Sequence, residues 1–199
     1  MTPLAPEQTA DLQLATRPGL PDDIACLRAA YPQPQWRSHA NFGEMAGFWL
    51  HVHDSLRGHG AQLAQATQAF RDGQCPAGDF QRFFVPNLNQ FLQHLNGHHQ
   101  IEDSAYFPRF RALDPRMVAG FDLLESDHAV IHDRLLASVD SARLLLQALA
   151  GNDGDAQRYA VDAYAAVSGE LLALLVRHLA DEEDLVIPAI LEHGERSIS

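Results

Sequence analysis

Seven side chains of two donor types recur at fixed spacing along this chain. His53 stands alone, His98 is followed at four residues by Glu102, His128 by His132, and His178 by Glu182. Neutral imidazole nitrogen and carboxylate oxygen suit iron, zinc, nickel or manganese, so donor type alone leaves the metal open among these. Four residues turn an α-helix by about 400°, which puts both members of each pair on one face. A single histidine on an apolar face is most often a hydrogen-bonded core residue. Five histidines and two glutamates in phase on four stripes are costly to bury separately, and metal satisfies them together. The bias shows in composition too: eleven His against fourteen Lys and Arg.

The elements that must position these residues read as helices. Apolar residues at three- and four-residue spacing predict a first helix from about His39 to Arg71, on Phe42, Met45, Trp49, Leu56, Leu63 and Phe70. A second runs from about Asp79 to Leu113, with Pro86 either bending it or marking its first turn. A third follows Asp114-Pro115 and ends at Gly151, and a fourth runs from about Asp155 to Glu192. No alternating run of Val, Ile or Thr offers a strand. Long helices with short connections pack as antiparallel neighbours, so the expected fold is an all-α, up-down-up-down four-helix bundle over residues 39–193. Seven prolines and glycines within residues 1–38 predict an irregular arm with one short helix near Asp22 to Ala30. Residues 194–199 form a C-terminal tail.

The spacing repeats internally. His98-x3-Glu102-x5-Pro108 matches His178-x3-Glu182-x5-Pro188, and His53-Asp54-Ser55-Leu56 matches His132-Asp133-Arg134-Leu135. Two copies of one hairpin would place these donors at the same depth. The copies differ where His128 precedes His132 by four residues, because Trp49 precedes His53. Two metals would then be ligated unequally, and the sparer one keeps an open position beside a bulky apolar group.

With these residues in view, the chain resembles the hemerythrin-like (HHE cation-binding) family over roughly residues 39–193. The marks are HDSLR at His53, HHQIED…FP at His98, DHAVIH at His128 and HLADEED…IP at His178. The resemblance implies a non-haem di-iron centre, oxo- or hydroxo-bridged. One iron would take His128, His132 and His178, and the other His53 and His98, with Glu102 and Glu182 bridging both. O2, NO or peroxide would bind the open position of the second iron. Oxygen-carrying hemerythrins place an Asp five residues after the last His, whereas here Glu182 stands at four and Glu183 at five. That sets the chain nearer the bacterial and regulatory HHE branch than reversible O2 transport.

The remaining candidates have blander readings. His99 is a ligand variant, an outer hydrogen-bond donor or, preferably, solvent-facing. His51 and His59 are peripheral, and His39, His94 and His193 are surface or capping residues. Asp103, Asp181, Glu183 and Asp184 read as a solvated acidic face, and Tyr106 as core with a hydroxyl in reach of a carboxylate. Glu125-x-x-His128 is one half of the ferritin-like pattern, which needs two. A net charge of −12 argues against nucleic acid and anionic membrane surfaces as partners. The uninterrupted apolar runs are too short to span a bilayer. Two cysteines, Cys26 and Cys75, build no disulfide framework, and no leader pattern is visible, so a cytoplasmic protein is expected. The expected function is small-ligand binding at iron in sensing, storage or detoxification. A peroxidase-like or NO-handling enzyme and a metal-free helical interaction module are the alternatives. With no output domain after His193, signalling would pass through an unidentified protein partner.

Overall fold

A computed structural model describes residues 12–198, so residues 1–11 of the expected arm and Ser199 of the tail lie outside the described residues. Among the described residues there is no strand. Five α-helices follow in order: α1 (Glu44–Arg71), α2 (Ala77–Ile101), α3 (Phe107–Leu113), α4 (Val118–Leu149) and α5 (Gly154–His193). The second expected helix is therefore divided. Between α2 and α3 lies a π-helical turn, Glu102–Tyr106, in which Phe107 N–H donates to Glu102 C=O five residues back. Pro108 has no N–H to offer, so an unbroken α-ladder here would lose a bond in any case. The wider turn re-phases the buried face: Leu95, His99 and Glu102 are followed by Phe107 and Phe110, with one step of five. That extra residue is what the sequence periodicity could not announce.

Local chemistry sets the other boundaries. Gly73, at φ 69°, ends α1 in the left-handed conformation. The Gln74 and Gly73 amides donate back to Ala69 and Phe70 carbonyls at 2.9 and 3.0 Å, the closing pattern of a helix C-terminus. Pro86 lies inside α2, where it removes one helical hydrogen bond. Before α4, the Asp114 carboxylate accepts from Arg116 N–H at 3.0 Å and starts the short 3-10 turn Pro115–Met117.

The described chain divides into two compact units. The first comprises residues 12–52, Ile101–Asp127 and 174–198. Its core includes Trp36, Trp49, Phe107, Phe110, Phe121 and Ile187, and each aliphatic or Phe side chain buried there contributes roughly 1.5–3 kcal/mol. The arm belongs to this core through Leu20, Ala25, Leu27 and Trp36, and Leu14 is buried as well. The short helix expected near Asp22 to Ala30 is a run of turns, with Ile24 and Ala25 amides both donating to Pro21 C=O. Regular structure in the arm is the 3-10 helix Gln33–Ser38.

The second unit comprises His53–Gln100 and His128–Ala173. Phe70, Phe80 and Phe84 stack in series at 4.6 and 4.8 Å between ring centroids. Tyr164 meets Phe84 edge-on at 5.0 Å, and burial pushes its phenol up to about 12. Although no uninterrupted apolar run is long, α5 contains an 18-residue window apolar enough to cross a membrane by length and composition alone. The same helix buries His178, Asp181, Glu182 and Glu183, a load that lipid would oppose.

Candidate metal centre

In the second unit, His53 on α1 is fully buried, and its ring meets His98 of α2 edge-on at 5.0 Å between centroids. His99, the next residue along α2, is also buried and lies flat against His128 of α4, with centroids 3.9 Å apart and planes 9° apart. His132, one turn beyond His128, is exposed.

In the first unit, α5 carries His178 and Glu182 one turn apart, both fully buried, with Nε2 and Oε2 at 3.3 Å. The other ring nitrogen, His178 Nδ1, faces Asp127 Oδ2 at 3.5 Å. Burial by itself would lower the His178 pKa, but the hydrogen bonds to Asp127 and Glu182 outweigh it and raise it above the ordinary imidazole value. Glu102 opens the π-helical turn and is buried too. Burial first, and then the neighbouring Glu182 carboxylate, raises the Glu102 pKa well above the ordinary carboxylate value. Two buried carboxylates forced together call for positive charge between them. Trp49 supplies a further tie: its indole N–H donates to Glu182 Oε1 at 2.6 Å, and its ring packs edge-on to Tyr106 at 5.0 Å.

Two groups of side chains could each hold a metal ion, the ligand atoms within each group lying within 4.8 Å of one another: His99, His128 and His178 in one, and His53, His98, Glu102 and Glu182 in the other. Six of the seven expected donors stand in these groups. His132 stands in neither, and His99, preferred as solvent-facing, stands in the first. Imidazole with carboxylate, buried and convergent, is a donor set that fits a transition metal.

Around this centre the structure adds residues that periodicity did not flag. Asp181 and Glu183, expected in a solvated acidic face, are buried, and so is Asp127. Arg17, from the arm, is fully buried and hydrogen-bonds both Asp127 and Asp181. The one sequence signal for Asp127 was its place beside His128 in DHAVIH; Arg17 had none, being one of three arginines in a proline-rich stretch. Glu125 does not approach the donors but is exposed and pairs with Arg111. His193 reaches Asp114 Oδ2 at 3.1 Å, in keeping with a capping role. His59 and His94 face each other with centroids 6.2 Å apart.

Residues 44–190 match the family model described as hemerythrin HHE cation binding domain. No curated protein and no solved structure matches the chain.

Proposed function

This chain belongs to the hemerythrin HHE cation-binding family, and from that premise we propose that it is a non-haem di-iron protein that binds a small ligand such as O2, NO or peroxide. The observation that carries the reading is the pair of donor groups, one made of imidazoles and one holding both glutamates. In this reading the four long helices form an up-down-up-down bundle. His53 and His98 would hold one iron and His128 and His178 the other, with His99 as a further imidazole, and Glu102 and Glu182 would supply carboxylate oxygen. His132, being exposed, takes no part.

Iron supplies redox capacity and a coordination position for the small ligand. The chain supplies orientation and exclusion of water. Asp127 faces His178 Nδ1, so a metal would be met by Nε2, the nitrogen that stands 3.3 Å from Glu182 Oε2; a carboxylate fixes a ligating imidazole in this way. Trp49 holds the other oxygen of Glu182, Oε1, and so orients the carboxylate. The family is one of cation binding, and the histidine-rich set favours ligand binding in sensing, storage or detoxification over carboxylate-rich oxygen activation. A cytoplasmic setting is consistent with the unbridged thiols Cys26 and Cys75.

Elemental analysis of protein purified without added metal, paired with its visible spectrum, tests the proposal. About two Fe per chain is the expected result, one for each donor group. One zinc per chain, or no bound metal after gentle purification, would sink it.

A further inference from the structure

Near the start of its described residues the arm carries a cation in an unusual place. Arg17 is 0% exposed, and each face of its guanidinium fork meets a carboxylate. Nε donates to Asp181 Oδ2 at 2.7 Å, NH1 to Asp127 Oδ1 at 2.9 Å, and NH2 to Asp127 Oδ2. NH1 also donates to the Leu12 carbonyl at 3.0 Å, so the arm wraps its own cation. The Arg17 carbonyl in turn accepts from Arg177, the residue before His178. Asp127 then faces His178 Nδ1 at 3.5 Å. A continuous chain of polar contacts thus runs from the arm through Arg17 and Asp127 to an imidazole of the proposed metal centre.

Stability alone accounts poorly for this construction. Taking one guanidinium and two carboxylates out of water costs several kcal/mol per ion, and such groups are often replaceable by apolar packing without loss. What the cluster does provide is geometry. A guanidinium fork is planar and rigid, and it fixes a carboxylate at two oxygens at once.

We propose that Arg17 is a positioning residue for the metal centre, holding Asp127 and Asp181 so that Asp127 fixes the His178 ring, and that docking of the arm and occupancy of the metal are therefore linked. The proposal rests on the di-iron reading above. Linkage is reciprocal: if a docked arm strengthens metal binding, bound metal strengthens docking by the same factor.

The test uses the full chain, with ferrous iron alone as the probe under anaerobic conditions. Iron affinity is measured by competition with a coloured chelator in the parent, Arg17→Ala, Arg17→Lys and Asp127→Asn. Arg17→Ala and Asp127→Asn should lose about 10- to 100-fold in affinity, the range for partners that orient a metal ligand. Both should shift the visible spectrum of the loaded protein. Arg17→Lys, which keeps the charge and loses the fork, should fall between parent and alanine variant. Hydrogen exchange over residues 12–37 should slow when iron is added to the parent, and should not in Arg17→Ala. A lower melting temperature with unchanged affinity and spectrum would make Arg17 a mere anchor for the arm and overturn the inference. If Arg17→Ala does not fold, Arg17→Lys and Asp127→Asn carry the same test, and parental affinity in both overturns it. A parent that binds no iron overturns the di-iron reading and this inference together, whereas a parent that binds two and an indifferent Arg17→Ala overturns this one alone.

Discussion

Trp49 Nε1 donates to Glu182 Oε1 at 2.6 Å, with both side chains buried. In the internal repeat Trp49 takes the place that His128 takes in the other copy. Periodicity marked it only as bulk beside an open position. It is also a hydrogen-bond donor to a proposed ligand carboxylate, so its ring and its N–H are separable functions.

Trp49→Phe keeps most of the ring and removes the donor. Breaking a buried hydrogen bond to a charged group costs about 1.5–3 kcal/mol. For a domain of this size that corresponds to a fall in melting temperature of roughly 3–12 °C. The iron-loaded variant should show a displaced visible spectrum, because Glu182 is no longer held at one oxygen. A variant with the parent's melting temperature and spectrum would reduce Trp49 to packing.

The two adjacent histidine questions are settled by counting metal. His132→Ala should leave iron content and spectrum unchanged, since His132 is exposed and in neither donor group. His128→Ala and His53→Ala should each lower iron content toward one per chain or less. His99→Ala should lower affinity, because its ring stacks on His128 at 3.9 Å and its nitrogen is among the first group's donors. Loss of iron in His132→Ala with full retention in His99→Ala would restore the ligand set expected from the sequence.

Much of the centre was legible because burial and donor type leave period marks. His53, His98, Glu102, His128, His178 and Glu182 interrupt apolar stripes at helical spacing, and the structure brings all six into the two groups. His132, expected as a donor, stands outside both groups and His99 stands in one, a difference of phase. His128 and His132 share a face to within 40°, yet the helix presents only His128 inward, while Asp127 and His128 are both buried. His99 looked peripheral because His98 beside it already filled the stripe. Arg17 was invisible for another reason: its partners lie 110 and 164 residues away, and no local pattern encodes a contact that distant.

Removing metal should loosen the fold. Iron held at a hundred times its Kd adds about 2.7 kcal/mol to stability by mass action. Chelation should therefore lower the melting temperature by about 5–10 °C, readable by calorimetry or circular dichroism. Identical melting of metal-free and loaded protein would argue against any metal at these buried donors.

Asp114 offers a pH test away from the metal. Hydrogen bonds from Arg116 outweigh burial and, with His193, hold its pKa well below the ordinary carboxylate value. A depressed folded pKa stabilises the fold fully above the unfolded value of about 3.9, and the contribution is lost as pH falls below it. Asp114→Asn should cost about 1–2 kcal/mol near neutral pH, modest because Arg116 is 57% exposed and screened. Urea unfolding of parent and variant should converge as pH drops below about 4. A constant gap down to strong acid would contradict the assignment.

The π-helical turn Glu102–Tyr106 acts on this molecule as a change of grammar acts on a text. From His98 to Pro108 and from His178 to Pro188 the two hairpin copies keep the same number of residues. Only the first spends one of them in widening a turn, while α5 runs on without a break to His193. Superposing the copies by residue number aligns the donors and the walls behind them, since Phe107 and Phe110 match Ile187 and Ile190 and all four are fully buried. What differs is the backbone between, which is π-helical after Glu102 and α-helical after Glu182. A duplicated text has acquired two different grammars, and the extra residue at Glu102 is where they part.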